Sequence, residues 1–166
     1  MKKTLILFTA LCCTLALSSC NGANTGGAPT ADTDEIILTD EVIPMTGTKM
    51  KVQIAGASFT ATLEDNAAVR ELIEMMNAGP VTVDMRDYAG FEKVGALGRS
   101  LTTDDHQTTT TAGDIVLYNG NQIVIFYGSN AWSYTRIGRI DDLSGWEAAL
   151  GSGDVTAVFS LAADGE

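Results

Sequence analysis

The residues best equipped for chemistry gather in "YGSNAWSYTRIGRI", Tyr127 to Ile140, which holds three aromatic rings, two arginines, an asparagine and several hydroxyls. Aromatic walls beside a guanidinium suit a peptide or a small anionic or planar ligand, because rings supply apolar contact and the charge orients the ligand. In that reading Trp132 and Tyr134 make the apolar contact, Asn130 offers backbone-type hydrogen bonds, and Arg136 meets an acceptor or an anion. Tyr127 belongs to the same wall, and Asp87 and Tyr88 form the loop beside it. The same residue types admit a purely architectural reading, in which Trp132 seals a barrel end and Arg136 pairs with one of the many carboxylates.

Other combinations carry less. His106 is the lone histidine, flanked by Asp104 and Asp105 in "TTDDHQTTTT". Three adjacent residues do not converge on one ion, and no second His or Cys completes a transition-metal shell, so a solvated loop is expected. A hydrolytic triad on His106 has no Gly-x-Ser-x-Gly elbow to support it. "GALG" at 95–98 and "GSG" at 151–153 lack the strand–turn–helix setting and the lysine of a phosphate loop. No metal and no cofactor is expected.

The N-terminal residues speak to location. Lys2 and Lys3 precede an apolar run from Thr4 to Leu17, shorter than the roughly 20 residues a bilayer-spanning helix needs and suited to a secretory leader. Leu17-Ser18-Ser19-Cys20 follows and resembles the lipobox of bacterial lipoproteins, which implies lipid on the Cys20 sulfur and cleavage before it. The expected organisation is a signal peptide over 1–19, a lipid-anchored flexible tether over 20–48 and one folded domain over 49–163. The tether reading rests on the Gly, Ala, Thr, Asn and Asp content after Cys20, which buries too little apolar surface to offset its ordering entropy. The cell envelope is the expected compartment and a membrane the expected partner.

All three cysteines lie at or before position 20, so no disulfide and no thiol nucleophile is expected in the domain. The formal charge is −11; without Lys2 and Lys3 it is −11 less two positive charges, or −13. Such a chain repels nucleic acid, which needs clustered basic residues.

The elements that must position the candidate residues follow from periodicity. "KMKVQIAG" and "ASFTATLE" alternate apolar and polar about Gly56 and read as a hairpin. In "DNAAVRELIEMMNAGP", Val69, Leu72, Ile73 and Met76 share a helical face, with Asp65 as N-cap and Gly79-Pro80 as the stop. "VTVDMRDYAG" is a strand running into a turn. Phe91 to Ala112 reads as loop with a short strand near Leu101. "GDIVLYNGNQIVIFYG" is two strands about Asn119-Gly120, the preferred pair for a type I′ turn. Ile123 and Ile125 occupy one face of the second strand and Val124 and Phe126 the other, so it is buried on both. Ser129 to Trp132 is a loop, "YTRIGRI" a strand, and "LSGWEAALG" a short helix with Ser144 and Glu147 as a capping box. "DVTAVFSLA" closes the chain. Seven or eight short strands with two helices suit a mainly β fold, a closed barrel capped at its ends, with a two-layer α+β sandwich as the other arrangement.

Three segments, "VQIAGASFTATLEDNAAVRELIEMM", "DYAGFEKVG" and "AGDIVLYNGNQIVIFYGSNAWSYTRIGRI", resemble the bacterial cyclophilin-like domain family over roughly Met50 to Leu161. That resemblance implies the cyclophilin barrel of eight strands and two helices, in proteins that are not established prolyl isomerases. True cyclophilins carry a Tyr-x-Gly-x-x-Phe-His-Arg segment whose Arg stabilises the twisted imide. Here Tyr88 and Gly90 match, while Lys93, Val94 and Gly95 stand where Phe, His and Arg belong. The resulting expectation is an envelope-anchored cyclophilin-like lipoprotein that binds a peptide, protein or small ligand without catalysis. The alternative is a divergent peptidyl-prolyl isomerase with Arg136 or Arg99 as a relocated guanidinium.

Overall fold

Alternation in the first apolar segments translates directly into a hairpin in the computed structural model, which describes residues 47–163. Strands β1 (Lys49–Ile54) and β2 (Ala57–Leu63) pair antiparallel with Met50 opposite Ala61 and Val52 opposite Phe59. Helix α1 (Ala67–Ala78) buries Val69, Leu72, Ile73 and Met76, the stripe its spacing predicts. Its cap is Asn66 rather than Asp65: Asn66 Oδ1 accepts from the Val69 N–H at 3.0 Å, and its amide donates to the Arg136 carbonyl at 2.7 Å. Asp65 instead takes Arg70 at 2.5 Å.

The remaining elements are β3 (Val81–Tyr88), β4 (Glu92–Ala96), β5 (His106–Thr109), β6 (Asp114–Tyr118), β7 (Gln122–Phe126), β8 (Ala131–Ile140), α2 (Trp146–Leu150) and β9 (Val155–Leu161). Around the sheet the order is β2-β1-β9-β3-β4-β7-β6-β8, and β2 pairs with β8 to close it. Every pairing is antiparallel. The result is a closed eight-stranded barrel with two helices, not a two-layer sandwich. The ninth strand, β5, lies outside the barrel against the first half of β8.

Two helices close the barrel at opposite ends of β2. Helix α1 follows the last residue of β2, whereas α2 sets Trp146 edge-on against Phe59 near its beginning, 4.9 Å between centroids at 85°. The Trp146 indole N–H donates to the Phe126 carbonyl at 2.8 Å. The main core runs from α1 through Met50, Ile54, Leu117, Ile123, Ile125 and Phe159 to Trp146 and Leu150. The α2 cap differs from the expected capping box: Gly145 is the N-cap at φ 79° with no side-chain bond, and Ser144 donates its N–H to Asp142 Oδ1 at 2.9 Å.

The segment from Phe91 to Ala112 is more ordered than its composition predicts. It contains β4 and β5, while Leu101 is not in a strand; it is buried in a loop, its N–H bonded to the Gly120 carbonyl at 2.7 Å. Strand β4 lies central in the sheet between β3 and β7. Its Gly95 permits this, because a Cβ there would stand 2.4 Å from Val83 Cγ1 and 2.7 Å from the Asp84 carbonyl. Asn119 and Gly120, at φ 51° and 73°, form the expected tight turn between β6 and β7.

Candidate functional site

Strand β7 is apolar on both faces, and that explains the site. Ile123 and Ile125 enter the main core, while Val124 and Phe126 form a second small cluster on the outside of the barrel with Val116 and Tyr134, flanked by Phe91, Val94 and Tyr118. An apolar floor on an outer face needs a cover. Strand β8 supplies part of it. A register shift between Ile115 and Val116 on β6 breaks the even pairing with β8, and beyond it the first four residues of β8 leave the barrel to pair with β5, Trp132 opposite Thr108 and Tyr134 opposite His106. Trp132 therefore belongs to a strand rather than to the expected loop.

Between this ribbon and the floor lies a cavity of about 420 Å³, inside the ~300–1,000 Å³ range of small-ligand clefts. Val94 and Val124 line its base, Tyr118, Tyr134 and Trp132 its β6–β8 side, and Tyr88 with Glu92 the opposite side. Tyr134 stacks edge-on with Phe126 (5.8 Å, 71°) and with Tyr118 (6.1 Å, 65°). Asn130, also at the wall, donates its side-chain amide to the Tyr134 hydroxyl at 2.9 Å, while its backbone clasps buried Thr110 through N–H and C=O bonds of 2.8–3.0 Å. Asn130 thus positions Tyr134. Burial is the main reason the Tyr134 phenol is held above its ordinary pKa, with the Glu92 charge second.

Two of these aromatics are open to solvent: Tyr88 is 60% and Trp132 57% exposed. Trp132 therefore does not plug the barrel; Trp146 and α2 close that end.

Glu92 is the residue sequence reasoning missed. It sits opposite Tyr88 on one side and Phe126 on the other in the antiparallel ladder, and it is 6% exposed. Among the described residues its Oε2 has no hydrogen-bond partner. Burial alone raises its carboxyl to about 7. The neighbouring cation is turned away: Lys93 points to the other side of β4, wholly buried, and donates to Asp87 Oδ1 at 2.6 Å and to the Gly153 and Gly151 carbonyls at 2.6 and 3.0 Å.

The seven candidate binding residues consequently divide among three places. Tyr88, Asn130, Trp132 and Tyr134 share the outer-face cavity. Asp87 and Tyr127 lie elsewhere, in a shallower depression with Gly90, Glu147, Gly151 and Ser152. There Tyr127 donates its hydroxyl to Asp87, with Lys93 Nζ 5.1 Å from the Tyr127 ring centre. Lys93 first and Tyr127 second lower the Asp87 carboxyl, while burial followed by that hydrogen bond pushes the Tyr127 phenol up to about 12. Arg136 goes to neither. Its Nη2 meets Asp114 Oδ1 at 3.1 Å and its Nε stands 3.6 Å from Glu64 Oε1, with Arg139 also on Asp114 at 3.0 Å. Its pairing is the architectural one. His106 is exposed beside Asp104 (3.1 Å), and Asp105 accepts from the Thr135 hydroxyl at 2.6 Å. Cys20 lies outside the described residues.

A closed antiparallel barrel capped by two helices, carrying a cleft on its outer face, defines the class. The chain belongs to the cyclophilin-like family, whose model matches residues 52–160. Among solved structures it is similar to the solution structure of the hypothetical protein AF2241 from Archaeoglobus fulgidus, at 16% identity and a TM-score of 0.53, covering 70% of this chain and 96% of that one. At that identity the likeness concerns the fold. No curated protein matches the sequence.

Proposed function

We propose that the protein is an exported, lipid-anchored, cyclophilin-like binding protein whose ligand occupies the outer-face cavity. The observation that carries the binding reading is the coexistence in one cleft of two exposed aromatic rings, Tyr88 and Trp132, with a buried carboxyl lacking a partner among the described residues, Glu92. Each is costly in a chain that folds for itself alone, since exposed rings lose their burial energy and an unpaired buried carboxyl keeps its desolvation penalty. A bound ligand relieves both.

The isomerase alternative has less behind it. Turnover of a prolyl bond in the cyclophilin manner needs a donor preorganised beside the imide nitrogen. Among the described residues no Arg or Lys lines this cavity, and Arg136 is engaged by Asp114 and Glu64. The anchoring half of the proposal rests on Leu17-Ser18-Ser19-Cys20; among the described residues no helix is long and apolar enough to cross a membrane.

Two experiments test the two halves. In a ligand screen read by Trp fluorescence on the Trp146→Phe variant, hits should perturb Trp132, and calorimetry on the otherwise wild-type chain should show their binding lost in Trp132→Ala. A screen without any such hit, over peptides and small molecules, sinks the binding half. For the anchor, palmitate labelling and membrane fractionation of the expressed chain should give a labelled, membrane-bound protein that Cys20→Ser releases; label retained on Cys20→Ser refutes it.

A further inference from the structure

Resting on the binding reading above, we infer that the cavity selects an organic cation, an alkylated ammonium group or a lysine side chain, seated against Tyr88, Trp132 and Tyr134 with Glu92 as its counter-charge. Glu92 stands between two aromatic positions, Tyr88 and Phe126, and lines the cleft, while its Oε2 is buried without a hydrogen-bond partner among the described residues. A buried carboxylate asks for a positive partner, and the fold withholds the obvious one by turning Lys93 to the other side of β4. Aromatic rings present negative faces, and clusters of them are the recognised environment of quaternary ammonium and alkylated lysine groups. The two features select in the same direction. An anionic ligand meets Glu92 and, among the described residues, no lining Arg or Lys; the formal charge of −11 likewise draws cations toward the protein and repels anions.

Protonation gives the inference a signature. The groups facing Glu92 are Tyr88 from β3, Tyr118 from β6, Phe126 from β7 and Tyr134 from β8, and the Glu92 charge is felt at Tyr134 and Tyr127, whose phenols are both held high. At neutral pH Glu92 is therefore the group in the cleft that changes state, since its carboxyl lies at about 7. A cation that does not itself titrate binds the ionised form and displaces a proton. A neutral acceptor, such as a peptide carbonyl, binds the protonated form and takes one up.

The test is titration calorimetry on the purified full-length chain in a non-ionic detergent, in buffers of different ionisation enthalpy. Choline is compared with its uncharged carbon isostere 3,3-dimethylbutan-1-ol, and N-acetyl-lysine methylamide with the norleucine analogue. The expected result is saturable binding of at least one cation, at least tenfold tighter than its neutral partner. That binding should release protons near neutral pH, strengthen from pH 5.5 to pH 8, and weaken at least tenfold in Glu92→Gln. Choline binding tighter than the lysine diamide assigns the site to a free quaternary ammonium; the reverse order assigns it to a lysine-bearing peptide. Equal or tighter binding of the neutral isosteres, with proton uptake and preference for acid, overturns the cation while leaving the binding reading intact. Absence of binding by all four probes also overturns it, and the Trp132 screen then separately decides whether the cleft binds anything. Unaltered cation affinity in Trp132→Ala and Glu92→Gln places the contact elsewhere and overturns the inference as well.

Discussion

Replacing Glu92 by Gln should make this protein more stable at alkaline pH, an unusual outcome for a buried position. Gln keeps the shape of the side chain and removes the charge. A carboxyl displaced from 4.5 to about 7 is disfavoured as an anion in the folded state by about 3 kcal/mol. The figure stays moderate because Glu92 borders an open cleft rather than a sealed core. Below pH 4.5 the carboxyl is neutral in both folded and unfolded chains, and the penalty is absent. Between pH 4.5 and 7 the unfolded chain sheds the proton while the folded one retains it. Stability then falls by up to about 1.4 kcal/mol per pH unit. Above pH 7 the loss levels off. Asp87, Asp141, Asp142 and Glu71, whose carboxyls are all lowered, contribute in the opposite sense, losing stability as pH falls. The quantity to measure is therefore the difference between wild type and Glu92→Gln in urea unfolding, at pH steps from 4 to 9. It should be small near pH 4 and reach about 3 kcal/mol in favour of Gln at pH 8. Parallel profiles, or a less stable Gln variant at pH 8, would refute the account of Glu92 as a carboxyl buried without a partner.

Trp132→Ala should shift the urea midpoint little, within roughly 0.5 kcal/mol, because the ring is more than half exposed; a loss of several kcal/mol would restore it to the architecture. Asp114→Ala should cost about 2–3 kcal/mol in the same assay, since its buried carboxylate accepts from both Arg136 and Arg139 and from the Thr111 N–H at 2.7 Å. Arg136→Gln should leave ligand affinity unchanged, and a tenfold loss would bring the guanidinium back to the site. Gly138→Ala should destabilise by roughly 2 kcal/mol or more, because a Cβ there falls 2.4 Å from the Thr62 carbonyl at the β2–β8 closure. Gly153→Ala is its control: nothing lies within 4 Å of the added carbon, and its melting temperature should match wild type.

How legible each element was depended on whether local pattern and tertiary role agreed. The β1–β2 hairpin and helix α1 announced themselves because their apolar residues recur at the period of the element they form, and the β6–β7 hairpin because two continuous apolar runs flank Asn119-Gly120. Strand β4 did not. Its inward positions are Lys93 and Gly95 and its outward ones Glu92 and Val94, so apolar alternation is absent from a strand that sits in the middle of the sheet. Lys93 tolerates burial only because Asp87 and two carbonyls from the loop before β9 converge on it, and Gly95 is tolerated because β3 presses close. Strand β5 was hidden for a different reason: it is short, exposed and Thr-rich, and exists as a partner for the part of β8 that leaves the barrel.

The candidate site shows the same division. Sequence composition alone was enough to single out Tyr127 to Ile140, and the residue types there supplied Asn130, Trp132 and Tyr134 of the cleft, with Tyr88 added from the facing turn. Period-2 apolar patterning and tight turns, which are local properties, also determined that short strands would form, while the choice of a barrel over a two-layer sandwich waited on the pairing of β2 with β8. Only the tertiary structure decided which side chains meet. The change of partner along β8, from β5 at Tyr134 to β6 at Arg136, separates two residues two apart on one strand and leaves one in a cleft and the other on Asp114. Glu92 carries no mark in the sequence, because a glutamate in "FEKVG" is an ordinary surface residue until the aromatic positions of four other strands close around it. Patterning is written one residue against its neighbours along the chain, whereas desolvation depends on everything that arrives from elsewhere.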